Sequence, residues 1–220
     1  MSKALLVFDL DGTLIDGYTA IGQALSYAME KLNLSPPPDA RVRVMVGHGL
    51  ERLLEKAVGA DLAPEGVRLF RERYPEVAVE GSHLLPGVAE TLDRLSAAGY
   101  PMALASNKPS RFSRLILEAK GVARHFHSIE GPDESTPAKP DPAMLRRILR
   151  DAGAPASDGV VIGDMEVDAE FARAGGARVV LIPNGSRSRE ELENSGADGL
   201  IESIRELPSW LERHTTIGAP

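Results

Sequence analysis

The sequence predicts an α/β protein: a doubly wound, mostly parallel sheet with helices on both faces and an α-helical segment inserted into it. Three observations support this. Short apolar runs of strand length stand at Ala4 to Phe8, Met102 to Ala105, Gly159 to Ile162 and Arg178 to Ile182. Such unbroken runs suit strands buried on both faces. Between them lie helical periodicities of about 10 to 15 residues, the length of a crossover between parallel neighbours. Between residues 16 and 84, by contrast, helical patterns follow one another with no strand-like run among them.

The elements follow in chain order. After the first strand, Ile21, Ala24, Leu25, Ala28, Met29 and Leu32 recur at intervals of three and four, and Asn33 to Pro38 end that helix. A second helix carries Leu50, Leu53, Leu54, Ala57 and Val58, and a third spans Pro64 to Ala78. Pro86 then suits a first helical position, with Val88, Leu92 and Leu95 on one apolar face and Gly99 as its stop. Further helices are expected around Phe112, Leu115, Ile116 and Ala119, and from Asp141 to Ala152. The domains are therefore expected to be a core of residues 1–15 and 85–220 and an inserted helical unit of residues 16–84. Thr215 to Pro220 read as a frayed tail.

With 220 residues the chain has ample length for a packed core, and 43% hydrophobic with 26% charged residues describes a soluble globular protein. No apolar stretch approaches the roughly 20 residues a membrane span requires, and the N-terminal run lacks a cleavage pattern, so neither membrane nor export is expected. Zero cysteines exclude disulfides and thiolate chemistry and fit a cytoplasmic location. A net charge of −7 without a basic run disfavours nucleic acid as a partner, which leaves a metal ion or a small anion.

Four polar signals follow the strands or open the helices. Asp9 and Asp11 lie at i and i+2 where the first strand ends, which directs both carboxylates one way. Like charges so close call for a cation or a shared proton, although an Asp-Gly turn also accounts for the residue types. Ser106, with Asn107, Lys108 and Pro109, follows the second strand, where a hydroxyl either caps the next helix or holds a phosphate oxygen. Lys139, set against Pro140, is a compact oriented charge or a solvated surface lysine. Asp164 and Asp168 follow the strand at Gly159 to Ile162 one helical turn apart, a spacing that also serves a helix N-terminus. Right-handed crossovers place all four signals on one sheet edge, where ligands bind.

The set Asp9-Leu10-Asp11-Gly12-Thr13, Ser106, Lys139 and Gly163-Asp164 through Asp168 resembles the four motifs of the haloacid dehalogenase superfamily, in order. Ser106 to Pro109, Val46 to Gly49, Leu85 to Val88 and Lys139 to Pro142 are similar to its phosphoglycolate phosphatase branch. The resemblance implies a Rossmann-like core with an α-helical cap. It also implies a Mg²⁺-dependent phosphatase acting on a small phosphorylated metabolite, as a monomer or homodimer. Asp9 would be the nucleophile that forms an aspartyl-phosphate, and Asp11 the general acid and base. Asp9, the Asp11 backbone carbonyl and Asp164 would hold the metal, with Asp168 in support. Ser106 and Lys139 would bind the phosphoryl oxygens, joined by the amides of Gly12 and Asn107. Arg43, His48 and the Gly47 and Gly49 backbone are the candidates for meeting a substrate carboxylate, although Arg43 also suits a solvated helix face and His48 a turn between its glycines.

Thr13 favours a phosphatase over a mutase of this superfamily, and Asp11 argues against dehalogenation. Ser106 stands where threonine is more frequent in that branch, and Asp16-Gly17 where Asp-Ser is usual. Asp16 itself suits a cap for the first helix of the insertion. Sugar-phosphate phosphatases, mutases and pyrophosphatases share these motifs and stay open as alternatives. So does a receiver-like phospho-acceptor module without turnover, against which the helical insertion speaks.

Overall fold

The structure, a computed structural model, describes residues 3–132 and 136–214. The expected tail at Thr215 to Pro220 lies outside them. Among the described residues six strands form one parallel sheet: β1 (Leu5–Phe8), β4 (Met102–Ala105), β5 (Ser128–Glu130), β6 (Gly159–Gly163), β7 (Arg178–Leu181) and β8 (Gly199–Leu200). Their spatial order is β5-β4-β1-β6-β7-β8. Strand β1 is central, with Leu6 in register with Met102 on one side and with Val160 on the other. Chain order runs outward in opposite directions from β1, so the crevice at its carboxyl end is the switch point where α/β sheets bind ligands.

Side chains alternate across the sheet. Leu6, Phe8, Leu104, Ile162 and Val180 join one apolar cluster, which continues into helices α5 (Val88–Ala97), α6 (Ser110–Ala119) and α10 (Leu207–His214). Leu5, Val7, Ala103, Val161 and Val179 join the other, beneath α7 (Ala143–Asp151), α8 (Glu166–Gly175) and α9 (Arg189–Glu193). Each fully buried Leu, Val or Phe of this kind stabilises the fold by about 1.5–3 kcal/mol relative to exposure. This double cover explains why the strands read as unbroken apolar runs.

The segment between β1 and α5 contains four helices: α1 (Tyr18–Lys31), α2 (Asp39–Met45), α3 (Leu50–Val58) and α4 (Ala63–Val77). Helix α1 buries Ile21, Ala24, Leu25 and Ala28, and α4 turns Leu69, Phe70 and Tyr74 inward. Short antiparallel strands close the ends of the segment, β2 (Ile15–Asp16) against β3 (His83–Leu84), with Ile15 opposite Leu84. The expectation of an all-helical segment therefore needs this correction, and α2 is an addition to it. Pro86 is not the first helical residue: α5 begins at Val88 behind Gly87, whose φ of 86° places the turn there. Strands β5 and β8 and helices α9 and α10 were not expected from the sequence. Among the described residues no helix is long and apolar enough to cross a membrane.

Candidate active site

Asp9 is the first residue beyond β1, and its N–H donates to Ile162 O at 2.8 Å, so the sheet ladder fixes its backbone. The chain then turns tightly, with Leu10 O accepting from the N–H groups of Leu14 and Ile15 at 2.9 and 3.0 Å. Gly12 sits in this turn at φ 90°, and a Cβ there would collide with the Asp164 carboxylate. Only glycine meets both conditions. The Gly12 N–H, expected to face a phosphoryl oxygen, donates instead to Ile15 O at 2.8 Å and closes the turn. Thr13 Oγ1 donates to Asp164 Oδ1 at 3.1 Å, tying the first motif to the last.

Carboxylate oxygens of Asp9, Asp164 and Asp168 lie within 4.8 Å of one another, and all three residues are buried. Lys139 Nζ donates to Asp9 Oδ1 at 2.6 Å, to Asp168 Oδ1 at 2.7 Å and to Ala105 O at 2.9 Å. Burial alone would lower the pKa of this lysine, but Asp168 and then Asp9 outweigh it and hold the pKa above its ordinary value. Burial, reinforced by Asp9 and Asp168, pushes the Asp164 carboxyl well above the usual carboxylate range. Burial also raises Asp168, with Lys139 opposing. The Asp168 carboxylate accepts from the N–H groups of Asp164 and Met165, both at 3.2 Å, so it serves the head of α8 and the acid cluster together.

Asp164 Oδ2 is buried and has no hydrogen-bond partner among the described residues. A buried carboxylate oxygen without a partner, on a residue clustered with two further acids, is costly unless a cation meets it. The donor set is all oxygen, which fits a hard divalent cation such as Mg²⁺.

The two aspartates of the first motif do not share one partner. Asp11 faces Lys108, whose Nζ lies 2.8 Å from its carboxylate, and its side chain fills the space that a Cβ on Gly17 would need. The strand ends at Phe8 and the backbone turns, so the two-residue rule no longer holds at Asp11. Ser106 is 3% exposed, and its Oγ accepts from Lys108 N at 3.3 Å. It does not cap α6, whose N-cap is Pro109. Asn107 Nδ2 donates to Gly47 O at 2.9 Å and to Lys139 O at 3.2 Å, while its Oδ1 accepts from Lys139 N at 2.7 Å.

A cavity of about 100 Å³ lies above these groups. Asp9, Asp11, Ser106, Asn107, Lys108, Lys139 and Asp168 line its floor, and Tyr18, Ile21, Leu53, Phe70, Arg71 and Tyr74 from the inserted helices line its roof. Gly47 and Gly49 also line the cavity, whereas Arg43 and His48 do not. Arg43 pairs with Asp16 at 2.6 Å and lies over the Tyr18 ring, and Asp16 Oδ1 also accepts from Tyr18 N at 3.2 Å at the head of α1. His48 Nε2 stands 3.6 Å from Glu166, which Arg187 grips at 2.7 and 2.9 Å. Sequence reading gave no role to Lys108, Tyr18, Arg71 or Tyr74. Lys108 follows Ser106 at the same two-residue spacing as the first acid pair, a signal available in the sequence. The tyrosines carry none.

The family description haloacid dehalogenase-like hydrolase matches residues 6–182. A phosphoglycolate phosphatase from Vibrio parahaemolyticus is 33% identical over 213 residues, covering 92% of this chain and 93% of its own length. One from Mesorhizobium japonicum is 35% identical over 200 residues, covering 88% of each. Among solved structures, a predicted phosphoglycolate phosphatase from Haemophilus somnus is similar with a TM-score of 0.87 and 26% identity over 96% of this chain and 98% of that one. A predicted phosphatase from Clostridium acetobutylicum shares the fold with a TM-score of 0.88 at 24% identity, over 97% of this chain and 100% of that one.

Proposed function

The chain belongs to the haloacid dehalogenase-like hydrolases, and we propose that it is a Mg²⁺-dependent phosphatase that hydrolyses a small phosphate monoester through an aspartyl-phosphate on Asp9. It is a phosphoric monoester hydrolase similar to phosphoglycolate phosphatases, and 2-phosphoglycolate is the substrate we assign to it. The observation that carries this reading is the buried cluster of Asp9, Asp164 and Asp168 around Lys139, with one carboxylate oxygen unmet.

Asp9, the Asp11 backbone carbonyl and Asp164 would hold Mg²⁺, with Asp168 in support. When bound, the ion supplies charge neutralisation for the phosphoryl oxygens. The Asp9 carboxylate attacks phosphorus, forming its P–O bond as the ester P–O bond breaks. Asp11 gives a proton to the departing alkoxide, then takes one from the water that cleaves the acyl phosphate, releasing inorganic phosphate and restoring Asp9. The Ser106 hydroxyl donates to a phosphoryl oxygen, and the Lys139 ammonium exchanges its contact with the attacking Asp9 for one to a phosphoryl oxygen, where charge builds in a loose transition state. Asn107 fixes the Lys139 backbone through its 2.7 Å contact.

Residues 16–84 act as a cap that closes over the floor, excludes water and selects the leaving group. A cavity of about 100 Å³ suits a small ester, well below the roughly 300–1,000 Å³ of pockets for larger ligands. The test is phosphate release from 2-phosphoglycolate, sugar phosphates, nucleotides and pyrophosphate, by wild type and Asp9→Asn. The expected result is turnover of a small monoester by wild type with Mg²⁺, its loss in EDTA, and none with Asp9→Asn. Inactivity of the wild type on every ester, or activity of Asp9→Asn equal to it, overturns the reading.

A further inference from the structure

The cavity has three cations in its wall: Lys108, Lys139 and Arg71. Lys139 is held between Asp9 and Asp168. Arg71 is half exposed and pairs with Glu51 at 2.9 Å. Lys108 is different. It is buried, its Nζ lies 2.8 Å from the Asp11 carboxylate, and the Tyr74 ring of the inserted helices stands 5.4 Å away. An ammonium has three donors, and both Asp11 oxygens lie 2.8 Å from this one, so one donor remains beside the two that Asp11 can take.

We propose that Lys108 reads the leaving group, favouring esters whose leaving group bears a carboxylate close to the ester oxygen. This rests on the phosphatase reading, in which Asp11 delivers its proton to that same oxygen. A carboxylate one carbon from the oxygen then falls beside the ammonium that already holds Asp11. Much of the roof is apolar, with Ile21, Leu53 and Phe70, where an unpaired carboxylate would be costly. Arg43 and His48, the cations the sequence suggests for this task, are engaged with Asp16 and Glu166 and do not line the cavity. Lys108 is also rigidly placed: its N–H donates to Ser106 Oγ, and its carbonyl packs where Gly131 has no Cβ.

The test compares kcat/KM for 2-phosphoglycolate and 2-hydroxyethyl phosphate, which replaces the carboxylate with a hydroxymethyl group. Wild type is expected to prefer the acid by about 10- to 100-fold, the scale of one charge-assisted hydrogen bond. In Lys108→Met that ratio falls to about one, and Lys108→Arg retains part of it; Lys108→Gln replaces the Met variant if the latter does not fold. A purely structural role lowers both substrates equally and keeps the ratio, which overturns the proposal. A wild-type ratio near one with phosphate still released also overturns it, while the phosphatase reading stands. Calorimetric binding of the two esters to Asp9→Asn with Mg²⁺, with and without Lys108→Met, gives the same ratio without turnover. That arm reads the carboxylate preference separately from turnover, and equal binding of the two esters there overturns the proposal.

Discussion

Asp164 has its Oδ1 satisfied by Thr13, while its Oδ2 is buried without a partner among the described residues, in a carboxylate that clusters with Asp9 and Asp168. Two unit charges about 4 Å apart repel by roughly 4 kcal/mol at the effective permittivity of partly buried sites. The raised pKa of this carboxyl is its burial, and after that this repulsion, seen from the proton's side. Below the unfolded value near 4 both states are protonated and no penalty exists. As pH rises, the unfolded chain ionises first, so the folded state loses stability until its own raised pKa is passed. Asp164→Asn has no such proton to lose, and its amide oxygen still accepts from Thr13. In EDTA, its stability advantage over wild type should therefore grow from pH 4 to pH 8, reaching on the order of 1–3 kcal/mol. Urea midpoints at each pH measure this, and calorimetry should show Mg²⁺ binding much weakened. A variant less stable than wild type at pH 8 without metal would mean that the cluster is not strained by its own charge.

At the scale of elements, Asn107 joins three of them. From the loop between β4 and α6 its side chain reaches Gly47, between α2 and α3, and both backbone groups of Lys139, ahead of α7. Each such bond is worth about 0.5–1.5 kcal/mol net. Asn107→Ala removes the tie between the inserted helices and the floor and loosens the backbone that aims Lys139. The expected outcome is a loss of about 1–3 kcal/mol in urea unfolding, with KM rising more than kcat falls. Unaltered kinetics and an unaltered midpoint would show that the helical segment is positioned without this contact.

At the scale of the whole molecule, the elements legible in the sequence are those whose environment leaves a one-dimensional trace. Strands β1, β4, β6 and β7 lie in the sheet interior, so each reads as an apolar run. Strand β5 is Ser128–Glu130 at the sheet edge and β8 is only Gly199–Leu200, so neither supplies a run. Helix α2 buries only Val42 and Met45 and follows three prolines, which hides its period. The floor of the site was legible because parallel strands deliver their loops to one edge. Its roof was not, because the helices' angle of approach decides which side chains face down. That angle brings Tyr18, Phe70 and Tyr74 into the cavity wall and leaves Arg43 and His48 outside it.

The central claim, that Asp9 accepts the phosphoryl group, has a direct test. Wild type turning over a ³²P-labelled monoester with Mg²⁺ is quenched in acid and digested. Label should appear on the peptide containing Asp9 and be absent from Asp9→Asn. Steady phosphate release with no label on that peptide, and with Asp9→Asn still active, would contradict the account.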